Sequence, residues 1–307
     1  MGEHVCLREV GLRDGLQMVT SDLSTDCKLE WIRDAVASGV SEMEITSFVP
    51  AATFPIFSDA AALASQALVI EDLQASALAV NLRGADDAIR AGFLNINYVL
   101  SASEAHSKAN VRRTTDEAVE VFARIADLRE SLGLQNKVVL SCGIAASFGC
   151  SIQGAVDPAR VLVLAEQVAE LGADEVMLAD TVGYANPAQV EVLFSTLRER
   201  LSHVNMAAHF HDTRGLGLAN VAAAARAGIR RFDASLGGLG GCPYAPGATG
   251  NVNFEDAVFM LESMGFDTGI DLVKLLELRQ KVSRWLPNEP VTGAVLRAGL
   301  PKNFLLS

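Results

Sequence analysis

One rhythm constrains this chain more than any other feature: short β-type runs alternate with longer helix-like segments, eight times over. The runs fall at 5–10 (VCLREV), 43–47 (MEITS), 76–80 (ASALA), 96–101 (INYVLS), 137–141 (KVVLS), 175–179 (EVMLA), 206–210 (MAAHF) and 231–235 (RFDAS). Between them lie helical segments such as 25–38, 115–132 and 158–171. The first has Ser24 and Thr25 as candidate caps and Asp26 in its first turn, a pattern that starts helices. Several segments stop at a small residue and a glycine just before the next strand, as at Ser38-Gly39, Ala91-Gly92, Leu171-Gly172 and Ala227-Gly228. Glycine tolerates the left-handed conformation that ends a helix. Eight such units in about 250 residues predict an α/β fold, a (β/α)8 TIM barrel. A doubly wound open sheet is the alternative, but GLRDGLQ after the first run does not match its GxGxxG turn. With no Pro/Gly/Ser-rich linker, the reading is a barrel domain over 1–270 and a C-terminal helical appendix, 271–307, packed on it.

Composition narrows the function. Half of the 307 residues are apolar, enough for a large core, and only 6% are aromatic, which suits packed parallel strands and helices. The net charge of -12 repels a phosphate backbone, so no nucleic-acid partner is expected, and an anionic substrate needs local cations or a metal. Five cysteines, an odd number with no CxxC, fit a reducing, cytoplasmic setting. No uninterrupted apolar run reaches the length of a membrane span, and no signal-peptide pattern opens the sequence.

Barrel enzymes carry their chemistry at the carboxyl ends of the strands, and here those ends are polar. Arg13 and Asp14 follow the first run, Glu44 lies in the second, Asn81 and Arg83 follow the third, and Ser101, Ser103 and Glu104 the fourth. Asp180 ends the sixth, and His209, His211 and Asp212 end the seventh. In His209-Phe210-His211 the two imidazoles share one strand face. They are either a hydrogen-bonded structural pair or ligands of a divalent metal, and the following Asp favours metal. Asp14 and Asn251 offer oxygen donors from the first and last loops, which become neighbours once a barrel closes. A mixed nitrogen and oxygen set points to Mg2+ or Mn2+. Arg13 pairs with its neighbour or meets developing negative charge on an enolate. Glu44 and Asp180 orient Arg13 and the metal's surroundings, or only satisfy the interior, and Gln17 is placed to bond a substrate oxygen. In the glycine-rich loop GGLGGCPYAPGATGN, Cys242 is a proton donor or an inert thiol.

These stretches carry a family likeness. EVGLRDGLQ (9–17), ITSFVP (45–50), NLRGADDAIRAG (81–92), LADTVG (178–183), HFHDTRGLGLAN (209–220) and GGLGGCPYAPGATGN (237–251) resemble the 3-hydroxy-3-methylglutaryl-CoA lyase family, within the barrel metallolyases and Claisen-condensing enzymes. The resemblance implies metal ligation by Asp14, His209, His211 and Asn251. It also implies enolate stabilisation by Arg13, acid/base work by Cys242, and Glu44 and Asp180 near the metal and arginine. The implied reaction is a retro-Claisen cleavage of a 3-hydroxyacyl-CoA thioester to acetyl-CoA and a keto acid such as acetoacetate, in an enzyme that often forms homodimers.

One segment departs from the family. After the fifth run it has Cys-Pro-aromatic-Glu-Gly, where this chain has Cys150-Ser151-Ile152-Gln153-Gly154, and Gly143 stands where a tyrosine is frequent. Both positions line the acyl end of the pocket, so a different 3-hydroxyacyl group is open. Gln17, Asn81, Arg83 and Lys302 are the candidate contacts to the CoA thioester, with Lys108, Arg112 and Arg113 as further cations. Two other readings compete: an aldolase or condensing enzyme on a hydroxy or oxo acid, and a silent metal-binding barrel scaffold.

Overall fold

The computed structural model describes residues 2–50, 52–241, 250–302 and 304. Eight parallel strands form a closed barrel: β1 (Cys6–Glu9), β2 (Glu42–Phe48), β3 (Gln74–Ala79), β4 (Asn95–Ser101), β5 (Val139–Ala145), β6 (Glu175–Asp180), β7 (Asn205–Phe210) and β8 (Arg231–Ala234). Each overlaps the run predicted for it. Closure comes from β1 pairing with β8, with Leu7 opposite Phe232 and Arg8 opposite Asp233.

The helices are α1 (Thr25–Ala37), α2 (Ala60–Ala67), α3 (Leu82–Arg90), α4 (Glu104–Val111), α5 (Thr115–Ser131), α6 (Pro158–Glu170), α7 (Pro187–Arg200), α8 (Gly217–Arg226), α9 (Phe254–Ser263), α10 (Leu272–Trp285) and α11 (Ala294–Ala298). Their starts follow from side chains. The Ser24 hydroxyl accepts from the Cys27 amide at 3.3 Å, so Ser24 rather than Thr25 caps α1. Thr114 and Glu117 close a reciprocal capping box on α5, satisfying two amides that a helix start leaves open. Gly39 ends α1 at φ 95°, and a Cβ there would lie 2.2 Å from the Gly269 carbonyl oxygen, so both conformation and space demand glycine.

Two buried zones result. Between strands and helices lies an apolar layer that includes Trp31, Phe93, Phe122 and Phe194, all fully buried, and each such side chain stabilises by roughly 1.5–3 kcal/mol. Inside the barrel, at its amino-terminal end, lies a polar cavity of about 210 Å³ lined by Arg8, Glu42, Glu175 and Arg231, among others. Its charges pair: Arg8 with Glu175 at 2.7 Å, and Arg231 with Glu175 at 2.7 Å and Glu42 at 2.5 Å. The C-terminal helix α10 buries Leu275, Leu278 and Val282 and ties itself to α1 through Lys281, 2.7 Å from Glu30 and 2.6 Å from Asp34. No helix among the described residues is long and apolar enough to cross a membrane.

Candidate active site

The chain turns sharply after β1. A π-helical turn over Gly11–Gly15 sends three amides, those of Arg13, Asp14 and Gly15, to one carbonyl, that of Val10. Such turns are rare and recur at functional sites. This one needs a glycine at its start, because a Cβ on Gly11 would lie 2.4 Å from Glu9 Oε1 and 2.9 Å from Trp31 Cζ2. The turn delivers Arg13 and Asp14 side by side to the barrel mouth. The guanidinium of Arg13 donates through Nη1 to Asp14 Oδ1 at 2.7 Å and through Nε to Glu44 on β2. Glu44 also accepts from Asn97 Nδ2 at 2.7 Å. Arg13 is thus gripped on two edges, and its fork is fixed before any ligand arrives.

The end of strand β7 and the residue just after it supply the histidines. His209 and His211 alternate with Phe210, which turns outward onto Phe194 and Phe148, so the period-2 reading of the triplet holds. The Nε2 atoms of the two imidazoles stand 3.1 Å apart, with Asp14 Oδ2 at 4.0 Å from His209 Nε2 and 3.8 Å from His211 Nε2. His211 bridges to Asn251 through the backbone. Asn251 donates from Nδ2 to Asp14 Oδ2 at 2.8 Å and to the Leu239 carbonyl at 2.9 Å.

The electrostatics suit a cation. Burial raises the Asp14 pKa, but Arg13, both histidines and the Asn251 amide outweigh it and bring the carboxyl to about 2. Burial, then the neighbouring His209, lowers His211 to about 4, so its imidazole is neutral at pH 7. Burial works against a charged His209 as well, yet its hydrogen bond to Asp233 and the nearby Asp14 raise it above its ordinary value.

Asp14, His209 and His211 bring one donor atom each within 4.8 Å of one another. Ligand bonds of about 2.1 Å set at right angles put two donor atoms about 3 Å apart, as the two Nε2 atoms are. Asn251 Oδ1 is buried without a hydrogen-bond partner among the described residues. A buried orphan acceptor is costly, and a cation that Oδ1 reaches would remove that cost. The donor set therefore fits a hard divalent cation.

The likeness to known proteins covers most of the chain. The HMGL-like family profile matches residues 4–282. The chain belongs to the HMGL-like family. A hydroxymethylglutaryl-CoA lyase of Bacillus subtilis is 38% identical over 288 residues, covering 92% of this chain and 95% of that protein. An (R)-citramalyl-CoA lyase of Chloroflexus aurantiacus is also 38% identical, over 97% and 95%. An Acinetobacter baumannii HMG-CoA lyase, solved with coenzyme A and 3-methylmalate, superposes with a TM-score of 0.90 at 37% identity, covering 98% of this chain and 97% of that one. HMGL-like relatives such as these are carbon–carbon lyases acting on CoA thioesters.

The remaining residues singled out in the sequence separate into groups. Asp180 is buried at the end of β6, and its two oxygens accept the Tyr184 and Ala185 amides at 2.8 and 3.0 Å. Burial raises it to about 6 despite those donors. It shapes the β6 loop and lies near enough to His209 to feel its charge. Asn81 caps α3, its Oδ1 accepting the Gly84 amide at 2.8 Å. Arg83 is exposed on the mouth side of α3, with a loose pair to Asp87 at 3.7 Å. Lys302 is exposed. Gln17 is half-buried in the 3-10 turn Leu16–Met18 that follows the π-helical turn. Cys242 lies outside the described residues. In the divergent segment, Cys150 and Gly154 bridge into a small turn, and Gln153 accepts from Ser103 at 3.0 Å. Sequence reasoning missed Asp233, which reaches His209 Nδ1 at 3.2 Å. Its signal was an acidic residue two places from Arg231 inside a four-residue strand.

Proposed function

We propose that this chain cleaves the bond between C2 and C3 of 3-hydroxy-3-methylglutaryl-CoA, or of a closely related 3-hydroxyacyl-CoA, in a metal-assisted retro-Claisen reaction. The observation that carries the reading is the convergence of Asp14, His209 and His211 on one point beside a fixed Arg13. Asp14, His209, His211 and Asn251 would hold the divalent cation, Mg2+ or Mn2+. When bound, it lowers the pKa of a hydroxyl group that it polarises. Arg13, held by Glu44 and Asp14, presents fixed donors to the thioester oxygen, where negative charge gathers as the C2–C3 bond breaks. The electron pair of that bond becomes the enolate of acetyl-CoA, and the hydroxyl carbon becomes the ketone of the keto acid, acetoacetate for the named substrate. The hydroxyl proton must leave as the ketone forms and a proton must reach C2, and Cys242 is assigned this acid/base transfer from its sequence context alone. Asp180 holds the β6 loop at the rim. Arg83 on the mouth side is the cation we assign to the phosphates of CoA, with Lys302, Gln17 and Asn81 as lesser candidates.

A second reading changes only the acyl group. The (R)-citramalyl-CoA lyase matches this chain as well as the hydroxymethylglutaryl-CoA lyase does, and the turn 150–154 departs from the family's usual residues. Metal-stripped protein incubated with each thioester, with and without Mn2+, tests both. Metal-dependent release of acetyl-CoA from 3-hydroxy-3-methylglutaryl-CoA supports the first reading, and release from citramalyl-CoA alone supports the second. No release from either thioester, with Mn2+ bound, would sink both.

A further inference from the structure

Three neighbouring strands set His209, Asp233 and Arg8 side by side. Asp233 on β8 is the register partner of His209 on β7 and of Arg8 on β1. Side chains opposite one another on adjacent strands share a face, here the inside of the barrel. All three residues are buried, at 6%, 3% and 5% exposure. Asp233 Oδ2 lies 3.2 Å from His209 Nδ1, while Oδ1 makes no hydrogen bond among the described residues and faces Arg8 Nη1 in an ion pair at 3.5 Å. Arg8 is anchored in turn by Glu175 at 2.7 Å. The other nitrogen of His209, Nε2, faces Asp14 and His211.

A neutral imidazole carries one proton, and the group facing one nitrogen decides which nitrogen keeps it. A carboxylate at Nδ1 holds the proton there and leaves the Nε2 lone pair turned toward the donor cluster. His211 has no such help, because its Nδ1 is buried without a hydrogen-bond partner among the described residues. We propose that Asp233 is a positioning residue. It fixes the tautomer and ring orientation of His209 so that Nε2 is ready to bind the cation, while Arg8 holds Asp233 from the amino-terminal end of the barrel. This rests on the metal reading given above. It also gives the charged floor of the barrel a task at its mouth, since the line from Glu175 through Arg8 and Asp233 ends on a proposed ligand.

Two measurements test it on the full chain. The first is long-range proton–nitrogen NMR of 15N-histidine protein, free of metal at pH 8, with His209 assigned through His209→Gln. The proton of the neutral His209 ring is expected on Nδ1 in the native protein, and a neutral ring protonated on Nε2 instead overturns the proposal without any variant of Asp233. In Asp233→Asn the amide oxygen turns to the Arg8 donors, which leaves the NH2 facing Nδ1, so the proton should move to Nε2. The second is Mn2+ affinity by electron paramagnetic resonance. Asp233→Asn should bind Mn2+ about 10–100-fold more weakly, the usual effect of losing an outer-shell partner, and binding within twofold of the native protein overturns the proposal. Native protein that takes up no Mn2+ overturns the ligand role of His209 itself, separately from the tautomer result, which decides whether Asp233 holds the ring.

Discussion

Asn251 and Asp14 meet across 237 positions of chain, the Asn251 amide donating to Asp14 Oδ2 at 2.8 Å. Barrel closure creates the pair, because β1 lies against β8 and brings the first and last loops together. The amide nitrogen is fully used, since Nδ2 also donates to Leu239. What remains is the amide oxygen, buried with no hydrogen-bond partner among the described residues and open to a cation. Asn251→Asp replaces the donor with a second acid facing Asp14, and two close carboxylates resist joint ionisation. Without metal the variant should lose about 1–3 kcal/mol. Because a ligand that binds only the folded state stabilises it, Mn2+ should raise the melting temperature of the variant more than that of the native protein. An equal rise in both would show that Oδ1 does not face the cation.

Arg13 and Glu44 form a buried pair at the mouth, and their substitutions should not add. Arg13→Met removes a donor aimed at the developing enolate, so turnover should fall about 10²–10³-fold. It also leaves Glu44, only 2% exposed, without its cation, at a cost of about 3–5 kcal/mol. Adding Glu44→Gln to Arg13→Met should recover most of that stability and none of the activity. Urea denaturation and a turnover assay on the two single variants and the double variant separate the two effects. Recovered activity in the double variant would remove Arg13 from the chemistry.

The barrel was legible because its signals are local. The eight runs, and glycine stops such as Gly39, are written within a few residues of one another, and no long-range pairing is needed to see them. The two histidines were legible for the same reason, since a strand repeats every second residue. The pairing of Asp14 with Asn251 needed the further step of closing the barrel. Asp233 was hidden because its role depends on register between strands, which sequence periodicity does not carry. Polar residues at strand ends also serve the loops themselves. The oxygens of Asn81 and Asp180 accept backbone amides of their own loops. Loops leaving a barrel need caps as much as active sites need donors, and the same residue types serve both.

Glu9 gives the fold a pH dependence. It is fully buried, and its Oε1 accepts the Gly11 and Leu236 amides at 2.9 and 3.2 Å, while Oε2 has no hydrogen-bond partner among the described residues. Burial raises its pKa to about 8, against 4.5 for the free side chain, although those amides pull it down. An acid that titrates later when folded binds more protons in the native state than in the unfolded one. Its contribution is therefore complete below about pH 4.5 and is lost as pH rises through about 8. Each pH unit between the two pKa values is worth about 1.4 kcal/mol, so the loss is on the order of a few kcal/mol. Glu9→Gln, which stays neutral, should flatten this slope between pH 5 and 9 in urea-denaturation midpoints. A native profile with no fall across that window would show that Glu9 is ionised throughout.

Gly237 stands where the glycine-rich loop leaves β8, and α10 depends on it. Its φ is 67°, and a Cβ there would lie 2.6 Å from Arg279 Nε and 2.8 Å from its Cζ. Arg279 has little room to retreat. It is 1% exposed, pairs with the fully buried Glu255 at 2.8 Å, and donates to Ser283 and the Thr292 carbonyl. The Glu255 carboxylate also accepts the Gly237 amide at 3.0 Å, so backbone, acid and guanidinium form one unit. Gly237→Ala adds the left-handed penalty, about 1–2 kcal/mol, to the cost of displacing a buried ion pair, about 3–5 kcal/mol when the pair is broken outright. The summed loss should exceed that of Gly215→Ala, a glycine at φ 70° with nothing within 4 Å of its Cβ position. Urea denaturation of the two variants makes the comparison, since they share the conformational penalty and differ in the clash. Equal losses would mean that Arg279 can yield, and that the loop base is softer than its packing implies.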